Sequence, residues 1–302
     1  MSEHLLYIGG AWRHGGGGTI PAVSPSSGEP FATVAMADRG DVDAAVAAAR
    51  SAWPAWAALS AFERAQWCSA VAAAIGRRSE DLARALTQDQ GKPLVAEAYD
   101  EVSELAEYFT MAAEDAKRLA GEIPPSVSAG RRVLSTRVPL GVVGVISPWN
   151  WPYTMGAELF APALAAGNAV VWVPAPTTTA CCALLAEIIA AEDAPPGVFN
   201  FVPGPGPVAG DALAGHPGVN AVGFIGSVAT GGSVAARAAG KTQLLELAAT
   251  GRWWCWTTPI SAWPPRPRWK PPTCAPARAA PRASGSWCTQ PSGPSSWTGW
   301  SR

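Results

Sequence analysis

Three short segments carry residue types that could do chemistry. The first is PWNWP (148–152), directly after the apolar run VVGVI (142–146). An asparagine at the carboxyl end of a strand can aim its side-chain amide at a developing oxyanion. A rigid Pro/Trp turn is the alternative. The second is GSVATG (226–231), between a strand-like and a helix-like stretch. Gly226 lets backbone approach a ligand, Ser227 adds a hydroxyl, and a helix N-terminus offers free N–H groups to a pyrophosphate. The spacing up to Gly231 is G-x-x-x-x-G, not the common dinucleotide spacing G-x-G-x-x-G. GPGPVAG (204–210) is a weaker glycine-rich turn of the same kind. The third is LLELA (244–248), with Glu246 in an apolar strand. Half-buried, that carboxylate would have a raised pKa and suit a general base. Turned to solvent, it would be an ordinary strand-end glutamate.

Other reactive types are scattered. His4, His14 and His216 show no order that supports a triad, and no metal site is expected. Cys181 and Cys182 fall within a helix-like stretch and read as small core residues. The six cysteines form no C-x-x-C pair, so a reducing cytoplasm is the default setting.

These segments need elements to hold them. DVDAAVAAARSAW (41–53) predicts a helix opening at an aspartate. Ser60 and Glu63 form a capping box for a helix to about Gly76. A third helix is expected over 79–90, stopped by Gly91, and a fourth over about 94–119, so the first half reads as largely helical. The rhythm then changes. Strands are expected at 142–146, 169–173, 198–202, 220–224 and 242–247, with helices at 157–167, 177–191, 206–216 and 228–239 between them. That alternation predicts an α/β fold: a doubly wound, mostly parallel, Rossmann-like sheet behind a helical N-terminal part. Ligands bind such sheets at the carboxyl ends of the strands.

Of 302 residues, 48% are hydrophobic and 15% charged, and the net charge is −1. This is enough chain for a large core, and the charge argues against a dedicated nucleic-acid binder. No apolar run is long enough to cross a membrane, and the N-terminus does not read as a signal peptide. The average conceals a break after Leu247. Residues 1–247 hold 15 Lys+Arg against 23 Asp+Glu; residues 248–302 hold 7 and none. The last 55 residues carry 8 of the 15 tryptophans and 10 of the 29 prolines, and Ile260 is their only large aliphatic side chain. Such a segment has no periodic apolar face to bury and is expected to be irregular.

Together the motifs resemble the aldehyde dehydrogenase family. The resemblance rests on DVDAAVAAARSAWPAW (41–56), DQGKP (89–93), RVPLGVVGVISPWNWP (137–152), LAAGNAVV (164–171), PAPTTT (174–179), HPGVNAVGFIGSVATG (216–231) and QLLEL (243–247). It covers nearly all of 1–247, as an NAD(P)-binding domain, and stops there. By this resemblance Asn150 is similar to the oxyanion-stabilising asparagine, and Glu246 to the base that activates water against a cysteine thioester. Gly226, Ser227 and Gly231 are similar to the dinucleotide phosphate turn, and Ile146, Pro148 and Trp149 would line the cofactor cleft. The implied cofactor is NAD or NADP and the implied partner a small aldehyde, with no nucleic acid or membrane. Segment 126–141 resembles the oligomerisation arm through which intact relatives form homo-oligomers.

Three departures matter. Val173 stands where the family has a ribose-contacting lysine, and Pro176 supplies no acid for a ribose 2′-hydroxyl. After Glu246 the family continues with a GG-containing turn and a later GQ-x-C nucleophile segment, whereas this chain reads AATGRWWCW. A single-base frameshift accounts for the difference. Tryptophan has only the codon TGG, so the tail constrains its own DNA. With one base restored after Leu247, the codons can read LGGNGPMV and later GQSCTAGER, with the nucleophile codon straddling Ala279 and Ala280. The expectation is an aldehyde dehydrogenase by descent whose translated chain lacks the nucleophile; a non-enzymatic nucleotide-binding remnant is the alternative.

Overall fold

A computed structural model describes residues 2–247. The expectation of an irregular tail concerns 248–302, outside the described residues.

Five parallel strands make up most of a seven-stranded sheet. In chain order they are β6 (Val142–Ile146), β7 (Ala169–Val173), β8 (Phe199–Phe201), β9 (Ala221–Gly226) and β10 (Thr242–Leu247). Before them come β1 (Ser2–His4), β2 (Leu6–Ile8), β3 (Ala11–Arg13), β4 (Thr19–Val23) and β5 (Pro30–Ala35). The spatial order is β10-β9-β6-β7-β8-β2-β3, with β2 and β3 antiparallel to their neighbours. A separate small sheet has the order β1-β5-β4. The chain therefore runs outward from β6 through β7 and β8, then returns to β9 on the other side of β6. The strand order reverses between β6 and β9, the position at which open α/β sheets form their ligand crevice, outside the carboxyl ends.

The helices cover both faces, as an all-parallel core requires. They are α1 (Arg39–Ala58), α2 (Ala61–Arg77), α3 (Ser79–Gln90), α4 (Tyr99–Ala116), α5 (Thr154–Ala165), α6 (Thr179–Ala190), α7 (Asp211–Gly215) and α8 (Val228–Arg237). Single π turns at Leu94–Ala98 and Gly206–Gly210 lead into α4 and α7. Alternate residues of β6 and β7 point to opposite layers. Val143, Val145, Val170 and Trp172 pack with α2, α4, α5 and α6; Val142, Val171 and Val173 pack with α1, α7 and α8. This is why AVVWV shows no polar alternation: β7 is buried on both sides.

Local signals place most helix ends. Glu63 N–H donates to Ser60 Oγ (3.2 Å) and Ser60 N–H to Glu63 Oε2 (2.7 Å), the expected capping box. Gly91 ends α3 at φ 85°. Two expectations are corrected. The first helix starts earlier, because Asp38 rather than Asp41 is its cap, and it runs through Pro54 to Ala58. The chain before it is not helical but holds β1 to β5, and three-residue strands such as β2 and β3 are too short to show a period. The hairpin between them turns on Gly9 and Gly10 at φ 62° and 88°, a glycine-pair signal for a tight β-turn. Asn200, fully buried in β8, anchors that hairpin: its Oδ1 accepts from Gly9 N–H at 2.9 Å. Among the described residues no helix is long and apolar enough to cross a membrane. Between α4 and β6, Glu122 and Ser135 form one antiparallel bridge, and Ile123, Val127, Leu134 and Val138 around it are exposed.

Candidate active site

Segments over 70 residues apart meet at the carboxyl edge of the sheet. Ile146, the last residue of β6, is in register with Phe224 of β9 and with Val173 of β7. Glu246 of β10 is in register with Ile225. The PWNWP turn leaves β6, the GSVATG turn leaves β9, and Glu246 lies on the next strand. The reversal of strand order makes the first two turns flank one crevice.

The β6 turn is held from within. Buried Ser147 accepts from the Trp172 indole N–H at 2.9 Å. Pro148 is half-buried, and Trp149 and Asn150 are exposed. The Asn150 carbonyl accepts from Gln90 Nε2 at 3.4 Å. Ile146 is half-buried, 3.9 Å from where a Cβ on Gly210 would sit, so the end of the GPGPVAG segment packs beside it.

The β9 turn is built as expected at its start. Ser227 caps α8, accepting from Thr230 N–H at 3.2 Å and contacting the Thr230 hydroxyl at 2.9 Å. The cap satisfies one of the four free N–H groups of a first helical turn, and residues 227–230 are exposed. Gly231 sits differently. It is buried, and a Cβ there would lie 2.2 Å from Leu247 Cδ2. Its missing side chain lets α8 close onto β10.

Of the two readings of Glu246, the structure takes the solvent one. Along β10 exposure alternates, and Thr242, Leu244 and Glu246 share the open side. Yet Glu246 is not isolated electrostatically. Burial, then the charges of Glu246 and Glu104, push the Glu158 carboxyl up; burial and the charges of Glu158, Glu104 and Glu246 raise Tyr108. A raised carboxyl binds its proton more tightly folded than unfolded. The folded state is therefore penalised as pH climbs above the ordinary glutamate value, and the penalty vanishes below it. Glu158→Gln should raise Tm by about 1 °C at neutral pH, a small effect because the group is partly solvated. The gain should disappear below the ordinary glutamate range. A gain that persists there would show a packing effect instead.

Residues not singled out by sequence also converge here. Lys92 and Glu101, both fully buried, pair at 2.5 Å. Glu101 Oε1 accepts from Tyr153 N–H at 2.9 Å and Thr154 N–H at 3.4 Å, and the Lys92 ammonium lies 3.5 Å from the Trp151 ring centroid. Burial pushes the Glu101 carboxyl up, while Lys92 and the two backbone donors oppose that. DQGKP was the available signal, since a lysine beside a helix-ending glycine is otherwise unremarkable. The three cysteines among the described residues are core groups, as expected for Cys181 and Cys182: burial pushes both of those thiols up, and Cys68 up to about 12.

Known proteins share this fold. The aldehyde dehydrogenase family model matches residues 12–253. The chloroplastic betaine aldehyde dehydrogenase of Amaranthus hypochondriacus is 39% identical over 262 residues, 83% of this chain and 52% of that protein. An NAD-dependent aldehyde dehydrogenase from Sinorhizobium meliloti superposes with a TM-score of 0.79 at 37% identity, covering 83% of this chain and 51% of that one. The betaine aldehyde dehydrogenase of Staphylococcus aureus in complex with NAD+ gives 0.79 at 31% identity, covering 81% and 50%. The chain spans about half the length of the curated relatives it matches. The match over most of the chain, together with the converging turns, shows that it belongs to the aldehyde dehydrogenase family.

Proposed function

We propose that residues 1–247 form the NAD(P)-binding domain of an enzyme that oxidises a small aldehyde to its acid. The observation that carries this reading is that β9 returns beside β6, so that the PWNWP and GSVATG segments leave adjacent strands at the point where the strand order reverses. The residues there fit a dinucleotide. Exposed N–H groups at the start of α8, with Gly226 and Ser227, suit a pyrophosphate; Ile146, Pro148 and Trp149 supply an apolar wall. When bound, the nicotinamide supplies a hydride acceptor. In an intact enzyme, whose catalytic cysteine would form the thioester, the Asn150 amide would donate to the developing oxyanion and Glu246, open to solvent, would take a proton from the water that attacks it. Val173, buried at the end of β7, offers a ribose no polar contact, so this reading includes weakened affinity for NAD and NADP alike.

Residues 248–302 carry no GQ-x-C segment. The proposal therefore includes their origin as the family's catalytic sequence read out of frame, leaving a chain that binds nucleotide without turnover. Resequencing codons 240–302 tests this, and codons incompatible with the restored frame overturn it. Among the described residues, the free, buried thiols of Cys68, Cys181 and Cys182 suit a reducing, cytoplasmic setting. Segment 126–141, with exposed Val127, Leu134 and Val138, is proposed as the arm of a homo-oligomer.

Calorimetric titration with NAD+ and NADP+ tests the binding reading. Saturable binding is expected. Ser227→Asp separates the cap from the anion site, because aspartate caps as well as serine but repels phosphate. It should weaken binding about tenfold, roughly the 1.4 kcal/mol that one repelled charge can impose near a helix end, at unchanged Tm. No binding by the parent chain, or equal binding by the variant, removes the assignment.

A further inference from the structure

We propose that the buried Lys92–Glu101 pair is a positioning device for the 148–152 turn, setting where the Asn150 amide stands in the crevice. This rests on the crevice reading above. Helix α5 has no side-chain cap of its own: Tyr153 occupies the cap position. Its cap comes instead from another helix. Glu101, on α4, gives Oε1 to the Tyr153 and Thr154 N–H groups and Oε2 to Lys92. Lys92 stands just beyond the Gly91 stop of α3 and presents its charge to the Trp151 ring. Gln90, two residues before Lys92, donates to the Asn150 carbonyl. The turn is thus gripped at three successive points, Asn150, Trp151 and the entry to α5, by groups on α3, α4 and the link between them.

Packing alone does not demand ions here. A buried ion pair replaced by apolar side chains of similar volume is often as stable or more so. What apolar groups cannot do is accept from two N–H groups and hold an indole face at a fixed direction. Lys92 and Glu101 are positioning residues; neither is placed to touch substrate.

The full 302-residue chain is compared with Lys92→Met/Glu101→Met and Lys92→Met/Glu101→Gln by residue-resolved hydrogen exchange, thermal melting and NAD+ titration. In the Met/Met variant the Tyr153 and Thr154 amides should exchange about tenfold faster, with exchange in β7 unchanged. The Met/Gln variant, which regains an acceptor without charge, should recover part of that protection. NAD+ affinity should fall severalfold in Met/Met and less in Met/Gln. Exchange at Tyr153 and Thr154 within twofold of the parent, or acceleration spread evenly over the chain, overturns the proposal. Should neither variant fold, the parent decides. Its Tyr153 and Thr154 amides must be as protected as those of Val145 and Trp172, and poor protection overturns the proposal. A parent that binds no NAD+ defeats the nucleotide reading only, since the exchange result judges the positioning role separately.

Discussion

Glu101→Ala alone is expected to destabilise the chain by about 3–5 kcal/mol, the cost of orphaning a buried charge. For a domain of this size that is a fall in Tm of the order of 10 °C. Three losses combine. Lys92, fully buried, keeps an ammonium with no counter-ion. Two N–H groups at the start of α5 lose their acceptor. A cavity opens beside Lys92, Tyr153 and Thr154, the buried partners of its carboxylate. The orphaned charge dominates, so removing it as well should restore most of the stability. A double-mutant cycle with Lys92→Met therefore gives a strong coupling energy. Additive effects of the two single variants, measured by denaturant unfolding, would contradict the ion pair as drawn.

Trp172→Ala should cost a similar amount, about 3–5 kcal/mol, by a different route. Trp172 is fully buried in the central strand β7. Its ring lies 5.0 Å from Phe160 and 5.3 Å from Phe201, centroid to centroid. Gly156 faces it so closely that a Cβ there would lie 3.0 Å from the indole. The ring thus fills the space between β7 and α5. Its N–H also donates to Ser147, the residue between β6 and Pro148. Trp172→Phe separates the two roles. It keeps much of the volume and leaves the Ser147 hydroxyl without that donor, at about 1–2 kcal/mol. The phenylalanine variant should still fold, with its nucleotide affinity reduced because Ser147 anchors the cleft wall. A phenylalanine variant with parent-like affinity would confine Trp172 to packing.

Much of this molecule was legible in short windows of sequence. The strand–helix alternation from 142 to 247 was read correctly in number and order, since buried parallel strands are dense apolar runs cut by glycine and proline. Ser60 with Glu63, and Gly91, marked helix ends because capping involves neighbours in the chain. PWNWP stands out as a turn because its residue types suit no regular element, and GSVATG as a strand-to-helix junction because glycine followed by a capping serine suits one.

Other features needed distant parts of the chain. The first helix takes Asp38 as its cap, and the partner in that box, Asp41, also accepts from Arg13 and Gly16 in the preceding β segment. Strands β1 to β5 escaped because each is short and draws its stability from partners elsewhere: β2 from β8, β1 from β5. Glu246 had two readings on sequence, and only its place on β10, with one face of that strand open, chose the solvent one.

Sequence by itself determined the family, the α/β class, the turn residues and the break in character after Leu247. All are local or compositional properties, carried by a few adjacent residues or by their averages. Tertiary structure alone decided that β9 returns beside β6, which puts the two turns on one crevice. It also decided that Gly231 serves packing against Leu247 and that a glutamate on α4 caps α5. Each depends on which strands become neighbours and which charges are buried together. Those outcomes are settled by the burial of whole faces of sheet and helix, and no short window of sequence contains them.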